Sequence, residues 1–166
     1  MKKTICLNMI VKNESKNLHR LFKSLHEVID YYIIHDTGST DGTPELIKEI
    51  MGNYDISGEI FHEDWVNFGV NRQKALESVI NSNYKPDYAL WIDADEEFYY
   101  KDKEYFNNLT KDCYHIKRIY GSIDYYNPHL FRVSNNNEIG WHWKGPVHNY
   151  LSNKYPYRRE NVDKNL

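Results

Sequence analysis

The first 98 residues of this chain alternate short apolar runs with segments in which apolar side chains recur every three or four positions. The short runs have the length and composition of buried strands, and the longer segments have the periodicity of amphipathic helices. A strand, a helix and a second strand in that order form a parallel pair with a right-handed crossover connection. The pattern therefore predicts an α/β fold in which helices flank a parallel sheet. The predicted strands are residues 4–11, 31–34, 58–62 and 88–92, and the predicted helices begin near Asn13, Thr43 and Val70.

Beyond residue 98 this alternation stops. Residues 113–120 and 129–133 are typical of antiparallel strands, and the sequence after residue 152 is polar and charged. We therefore predict a single domain over residues 1–152, divided into an α/β half (residues 1–98) and a smaller mixed or antiparallel half (residues 99–152). Residues 153–166 are predicted to be a C-terminal tail whose end frays.

Two carboxylates, Asp93 and Asp95, follow the fourth predicted strand. Residues i and i+2 of an extended chain point to the same side, so both carboxylates are expected to face one point. Two carboxylates at one point repel each other unless a cation lies between them. Mg²⁺ and Mn²⁺ prefer oxygen ligands and often bind through one or two carboxylates together with substrate phosphates. This segment therefore predicts a metal–nucleotide site, although a short acidic motif also fits a solvated turn.

Polar or aromatic side chains follow every predicted strand of the first half. In open parallel sheets, ligands bind at the carboxyl ends of the strands. The coincidence of four such segments therefore favours a binding site over four unrelated turns. The residues are Asn13 and Glu14 after the first strand, Asp36 after the second, Asp64 and Trp65 after the third, and Asp93 and Asp95 after the fourth.

Composition narrows the class of protein. A formal net charge of −3 gives no argument for a polyanion-binding surface, so no nucleic-acid partner is expected. Two cysteines without a disulfide or CxxC pattern favour a reducing compartment. No run reaches the roughly 18 apolar residues of a transmembrane helix. We therefore expect a cytoplasmic protein, and the sequence leaves the oligomeric state open.

Five segments, taken in order, resemble family 2 glycosyltransferases, which have the GT-A fold with a Rossmann-type nucleotide-binding sheet. The segments are IVKNE, DTGSTDGT, NFGVNR, WIDADE and GPVH, and the resemblance covers most of residues 4–151. It implies inverting transfer of a hexosyl or N-acetylhexosaminyl group from a UDP-sugar to a carbohydrate, lipid or protein acceptor. It further implies Mn²⁺ or Mg²⁺ as cofactor, a nucleotide-binding half over residues 1–98 and an acceptor-side half over residues 99–152.

The resemblance also implies roles for single residues. Asp36 would accept a hydrogen bond from the uracil ring, and Arg72 would lie near the base or the phosphates. Asp93 would contact the ribose or the metal. The implied nucleotide-binding residues are Asn13, Glu14, Asp36, Arg72 and Asp93, and the implied metal ligands are Asp95, bridging to the diphosphate, and the more distant His148.

The catalytic base is the role that the resemblance leaves unassigned. Many relatives have an acidic residue next to the histidine, whereas this chain has Asn149 after His148. An amide is not a useful general base. Glu97, Asp124 and Glu138 are the candidates, and Asp124 is favoured because it lies in the acceptor-side half.

Two other functions stay open from the sequence. Asn149 and the short sequence after His148 fit a nucleotide-sugar-binding module with weak or no catalysis, or an enzyme whose acceptor region is supplied by a partner. A nucleotidyltransferase or an aspartyl-nucleophile phosphatase has a similar layered architecture. The phosphatase, however, requires its Asp-x-Asp after the first strand, where this chain has Lys12-Asn13-Glu14.

Overall fold

The computed structural model describes residues 2–134 and 136–163. Its elements follow the alternation predicted for the first half and continue into a strand-rich second half. In chain order they are β1 (Ile5–Val11), α1 (Leu18–Leu25), β2 (Tyr31–Asp36), α2 (Thr43–Asn53), β3 (Gly58–His62), α3 (Phe68–Asn81), β4 (Tyr88–Trp91), a 3₁₀ helix (Lys103–Asn108), β5 (Cys113–Tyr120), β6 (Ile123–Arg132), α4 (Asn136–Ile139), β7 (His142–Lys144), β8 (Tyr150–Ser152) and β9 (Arg159–Val162).

Seven of the strands form one sheet in the order β3-β2-β1-β4-β6-β5-β9, and β7 and β8 form a separate pair. β1 pairs in parallel with β2 and β4, and β2 pairs in parallel with β3. β6 runs antiparallel to both β4 and β5. The predicted α/β class, with a parallel half followed by a smaller antiparallel half, is confirmed.

The central strand β1 is covered on both faces, which explains why its sequence is apolar at nearly every position. Ile5 and Leu7 belong to the apolar cluster that includes the buried side chains of α1 and α2. Cys6 points to the opposite cluster, where it lies with Leu76 and Val79 of α3. The sheet is therefore a middle layer between helices.

A buried amide fixes α3 against this sheet. Asn8 of β1 is 4% exposed, and its Nδ2 donates to the carbonyl oxygens of Ile33 (3.2 Å) and Ala75 (3.0 Å). Buried amides need such partners because an unpaired polar group in the core is costly. Ala75 lies one turn after Arg72 in α3, so this contact also fixes the backbone position from which the Arg72 side chain extends.

The first helix starts later than predicted. It begins at Leu18, and its N-cap is Asn17, so Asn13 is not the cap. Asn13 instead has a left-handed backbone (φ 57°), a conformation that asparagine tolerates better than most residues. Its side chain is used elsewhere, because Asn13 Oδ1 accepts from the backbone N–H of Thr40 at 2.7 Å.

The segment predicted as a polar tail contributes a strand to the main sheet. β9 pairs in parallel with β5 at the edge of the sheet, and Val162 is buried in the core. An edge strand of four residues needs only one inward side chain, so its sequence remains mostly polar. The predicted boundary at residue 152 therefore does not mark the end of the sheet. The fraying predicted for the chain end falls on residues 164–166, which lie outside the described residues.

Candidate active site

The parallel strands end at one edge of the sheet and form a cleft of about 460 Å³ there. Segments after β1, β2 and β4 line it, as expected for an open parallel sheet. Four of the predicted site residues, Glu14, Arg72, Asp93 and Asp95, line this cleft. The structure thus brings together side chains that are up to 81 positions apart in the sequence.

The guanidinium of Arg72 contacts two indole rings and donates two hydrogen bonds. It lies 4.5 Å from the ring centre of Trp91 and 5.1 Å from that of Trp143. Nη1 donates to Asn149 Oδ1 at 2.9 Å, and Nη2 donates to Asp93 Oδ1 at 2.5 Å. The side chain is only 12% exposed. Cation–π contacts strengthen when the cation is desolvated, so this arrangement fixes a positive charge at the cleft.

Asp93 and Glu96 are both engaged by cations. Asp93 pairs with Arg72, and its backbone N–H donates to Glu96 Oε2 at 3.0 Å. Glu96 pairs with Arg118 of β5 at 2.5 Å. Burial raises the pKa of Glu96, and the adjacent Arg118 opposes that shift. The turn after β4 is therefore a network of compensated charges.

Asp95 differs from these neighbours because its side chain is exposed and, among the described residues, no hydrogen bond or ion pair reaches its carboxylate. The backbone carbonyl oxygen of Asp95 accepts a hydrogen bond from Arg20 Nη2 at 2.7 Å. Asp95 thus presents two carboxylate oxygens to the cleft with their lone pairs available. That is the state expected of a ligand for a hard cation.

His148 lies in an adjoining pocket of about 290 Å³ that also contains Arg72 and Asp93. Its side chain is exposed. The described part of the chain contains no group of three His, Cys, Asp or Glu side chains placed to hold a metal. Asp95 and His148 therefore line neighbouring pockets without forming a complete protein-only metal site.

Asp36 and Asn13 hold the loop that follows β2. Asp36 is buried, and its carboxylate accepts from the backbone N–H groups of Gly38 (3.2 Å) and Ser39 (3.1 Å). Asn13 accepts from Thr40 and its backbone N–H donates to Ser39 Oγ at 2.8 Å. Both side chains therefore shape the loop beside the cleft, and their predicted contact with a nucleotide stays a prediction.

Asp124, the predicted catalytic base, lies apart from these groups. It is exposed at the start of β6, and its carboxylate pairs with Lys117 at 2.8 Å. It lines neither the cleft nor the pocket of His148. The other candidates line neither of these two pockets: Glu97 accepts from the hydroxyl of Tyr99, and Glu138 lies in α4.

Several residues of this region escaped the sequence analysis. His129 stacks on Trp91 with ring centres 4.3 Å apart, and its Nδ1 contacts the carbonyl oxygen of Trp91 at 2.8 Å. Arg118 and Trp143 also reach the site, from β5 and β7. The strand pattern predicted β5 and the end of β6 but not β7. Only the pairing of β6 with β4 and the contact of β7 with α3 bring these side chains to the cleft.

The comparisons with known proteins agree with this architecture. The sequence matches the model of glycosyl transferase family 2 over residues 6–165. The chain belongs to glycosyl transferase family 2. Within the curated proteins, this family 2 chain is 33% identical over 94 residues to a TPR repeat-containing protein of Synechococcus elongatus, a match that covers 56% of this chain and 21% of that protein.

Solved structures of TarS from S. aureus share the fold of the family 2 chain. TarS 1–349 in complex with UDP has a TM-score of 0.64 at 14% identity, covering 96% of this chain and 60% of that one. TarS 1–349 in complex with UDP-GlcNAc has a TM-score of 0.63 at 14% identity, covering 96% and 58%. At this identity the likeness concerns the fold, which is GT-A. The family 2 chain spans less than two thirds of each of these relatives.

The described residues of the family 2 chain contain no helix with the length and apolar character needed to cross a membrane.

Gly69 provides a test of how the loop of residues 145–149 is held. A Cβ at Gly69, near the start of α3, would lie 2.4 Å from the carbonyl oxygen of Gly145. A backbone atom cannot move aside as a flexible side chain can, so Gly69→Ala is expected to displace the loop. The displacement should break the hydrogen bond between Arg72 and Asn149. Overpacking of this kind typically costs about 1–3 kcal/mol in the free energy of unfolding.

Denaturant unfolding measures this effect, and Gly52→Ala is the matched control. A Cβ at Gly52, in the last turn of α2, would meet no atom within 4 Å. The control should leave the stability equal or slightly raised, because alanine is the better helix former. Equal stabilities for both variants would contradict the close packing of α3 against the loop.

Proposed function

We propose that this family 2 protein is a metal-dependent, inverting glycosyltransferase that transfers a sugar from a UDP-sugar to an acceptor hydroxyl. The observation that carries the proposal is the cleft at the strand ends, which is lined by Arg72, by its partner Asp93 and by Asp95, whose carboxylate no described residue engages. The complexes of TarS with UDP and UDP-GlcNAc, solved on the same fold, support a UDP-sugar as donor.

The side chains of the cleft fit a divalent cation that also binds the substrate. Asp95 offers hard oxygen atoms with no protein partner among the described residues, and Mg²⁺ or Mn²⁺ commonly binds through one or two carboxylates plus substrate phosphates. A site completed by a diphosphate needs no cluster of three protein ligands. We assign Asp95 as the principal ligand, with His148 as a second ligand from the adjoining pocket. When bound, the ion supplies charge stabilisation for the departing diphosphate.

The other residues of the cleft bind and orient the donor. Arg72 presents a cation whose position is fixed by two indole rings, so that little entropy is lost when an anionic group binds. Trp65 and Phe68 form an edge-to-face pair with ring centres 4.8 Å apart at the wall of the cleft. This apolar wall suits a nucleoside. Asn13 and Asp36 support the neighbouring loop, and we propose that the loop faces the uracil ring.

In the proposed reaction, the acceptor oxygen forms a bond to the anomeric carbon while the bond from that carbon to the UDP oxygen breaks. UDP leaves with the electron pair, and the hydroxyl proton passes to a base. Asp124 is paired with Lys117 and does not line the cleft, and both observations argue against it as this base. The base is not assigned among the described residues.

UDP binding is the first test. We expect UDP together with Mn²⁺ to raise the melting temperature more than either does alone, because Asp95 would hold the ion and the ion would supply positive charge for the diphosphate. A ligand at about 100 times its dissociation constant stabilises by roughly 2.7 kcal/mol, which corresponds to about 5–10 °C for a chain of this size. No shift with UDP and Mn²⁺, or the same shift without the metal, would contradict the proposal.

A measurement of catalytic turnover distinguishes an enzyme from a nucleotide-sugar-binding module of the same fold. The binding module is the alternative that the amide of Asn149 favours. The measurement is UDP release from a panel of UDP-sugars in the presence of Mn²⁺. Release above the rate without protein supports a transferase. A metal-dependent melting shift without UDP release for any donor or acceptor supports the binding module.

A further inference from the structure

A second concavity of about 470 Å³ adjoins the cleft. It lies between the segment after Asp95 and the hairpin of β5 and β6, and Asp95 lines both the cleft and this second space. Any molecule in it would therefore lie next to the proposed donor. We call it the aromatic groove, and define it by Phe98, Tyr99, Tyr100, Tyr120, Tyr125 and His129.

His129 lines the aromatic groove and carries an unsatisfied hydrogen-bond acceptor just beneath its surface. Its Nδ1 lies 2.8 Å from the carbonyl oxygen of Trp91. A carbonyl only accepts, so Nδ1 carries the hydrogen and Nε2 has a free lone pair. Nε2 is buried and has no hydrogen-bond partner among the described residues, in a side chain that is 96% buried. Buried polar atoms are rarely left unpaired, and a ligand hydroxyl that reached Nε2 through a small shift of the groove side chains would supply the missing donor.

The histidine is neutral under ordinary conditions. Burial lowers the pKa of His129 to about 4, and the nearby Arg118 acts in the same direction. Near neutral pH, Nε2 therefore accepts a hydrogen bond rather than donating one. A hydroxyl group satisfies it, whereas a phosphate oxygen does not.

The charges of the aromatic groove select against anionic ligands. The two cations that line its described part are already paired, Arg118 with Glu96 at 2.5 Å and Lys117 with Asp124 at 2.8 Å. Asp163 lies 3.7 Å from Lys117 as a further carboxylate. The described lining thus holds four carboxylates against two cations, and this net negative charge disfavours a phosphorylated ligand.

The same groove suits a neutral sugar. The exposed carboxylates of Asp95 and Glu97 accept hydrogen bonds from hydroxyl groups. Tyr99, Tyr120 and Tyr125 are 68%, 81% and 42% exposed, so their rings are open to a ligand. Clustered aromatic surface of this kind commonly marks a binding site.

We propose that the aromatic groove binds the acceptor and that the acceptor is a neutral carbohydrate, one hydroxyl of which donates to His129 Nε2 after a small shift of the groove side chains exposes that atom. This inference rests on the proposed function, because the groove opens at Asp95 onto the donor cleft. His129 binds and orients the acceptor in this scheme, and the tyrosines pack against its sugar rings.

The acceptor class is tested by UDP release with the best donor of the panel above. Cellobiose, maltose, lactose and chitobiose are compared with glucose 1-phosphate and glycerol 3-phosphate, each with Mn²⁺. We expect at least one neutral disaccharide to raise UDP release and to form a glycosylated product, and the phosphates to have no such effect. Acceleration by the phosphates alone, or by no compound of the panel, would overturn the inference.

Variants of the groove test its residues. His129→Phe keeps a ring against Trp91 but removes Nε2, and the loss of one hydrogen bond should raise the acceptor KM about 5- to 100-fold with less effect on kcat. His129→Gln keeps an acceptor atom and is expected to lose less. Tyr125→Ala, at an exposed position, should raise the acceptor KM about 3- to 10-fold through lost ring contact.

Tyr155→Ala is the matched control, since Tyr155 is also exposed, at 55% against 42% for Tyr125, but lies outside the groove. It should leave the acceptor KM unchanged. The melting shift with UDP and Mn²⁺ shows whether each variant keeps a folded donor site. A normal acceptor KM in folded Tyr125→Ala and His129→Phe would overturn the inference while leaving the proposed function intact. Loss of the UDP response in the unaltered protein would instead remove the proposed function itself.

Discussion

Asp95→Asn is expected to abolish the Mn²⁺-dependent part of UDP binding and to lower the rate of sugar transfer about 100- to 1000-fold. The substitution preserves the size of the side chain but removes its charge. Because no described residue pairs with the Asp95 carboxylate, the change breaks no ion pair of the protein. The loss should therefore appear in metal and donor binding, with the melting temperature of the free protein nearly unchanged.

Asp55→Asn is the control for this experiment. Asp55 is exposed and has a left-handed backbone (φ 56°), which asparagine adopts readily. It lies between α2 and β3, away from the cleft, and should keep the full UDP response. The measurements are melting curves with and without Mn²⁺ and the initial rate of UDP release. Equal rates for Asp95→Asn and the unaltered protein would mean that the ion binds elsewhere or is not needed.

Arg72→Ala is expected to have the second largest effect, because it acts on both stability and binding. The guanidinium contacts two indole rings, Asp93 and Asn149, so its removal leaves an aromatic pocket without its occupant. A desolvated cation–π contact contributes about 2 kcal/mol, and a hydrogen bond to a charged group about 1.5–3 kcal/mol. We expect the free energy of unfolding to fall by roughly 2–4 kcal/mol. Donor affinity should fall about 10- to 100-fold.

Arg72→Lys separates charge from shape in the same experiment. Lysine keeps the positive charge but cannot donate to Asn149 and Asp93 from one planar group, so it should restore only part of either loss. Lys48→Ala, on an exposed position of α2, controls for the removal of a cation and should change neither quantity. Full recovery in Arg72→Lys would show that the planar contacts with the two indoles are dispensable.

The elements of the first half could be predicted from local sequence because their signals are local. β1 is apolar at every position except Asn8 because both of its faces are buried, and α1 carries its apolar residues at helical spacing. The convergence of Glu14, Asp93 and Asp95 follows from one general rule, that parallel strands end at a common edge. The family was likewise predictable, since its motifs lie in these same loops.

Where the predictions differed from the structure, long-range contacts decided the outcome. Asn13 has the residue type of a helix cap, but its amide is engaged by the loop of Thr40, so the helix starts later. β9 has too short and polar a sequence to be recognised, and it exists as a strand because β5 offers it an open edge. Asp124 was favoured as the base by its place in the chain alone. In the structure it lies opposite Ile119 in the hairpin and its carboxylate pairs with Lys117, and its catalytic role stays a prediction.

By itself, the sequence determined the parallel sheet, the edge at which polar side chains gather and the family to which the chain belongs, because periodicity and strand ends are encoded over a few neighbouring residues. Only the tertiary structure decided which of those side chains are free to bind. Asp93 and Asp95 look alike in the sequence, yet Arg72 pairs with the carboxylate of Asp93 and no described residue engages that of Asp95. The acceptor atom of His129 was likewise invisible in the sequence. Its availability depends on burial and on a hydrogen bond to a strand 38 positions away, both of which arise only when the sheet assembles.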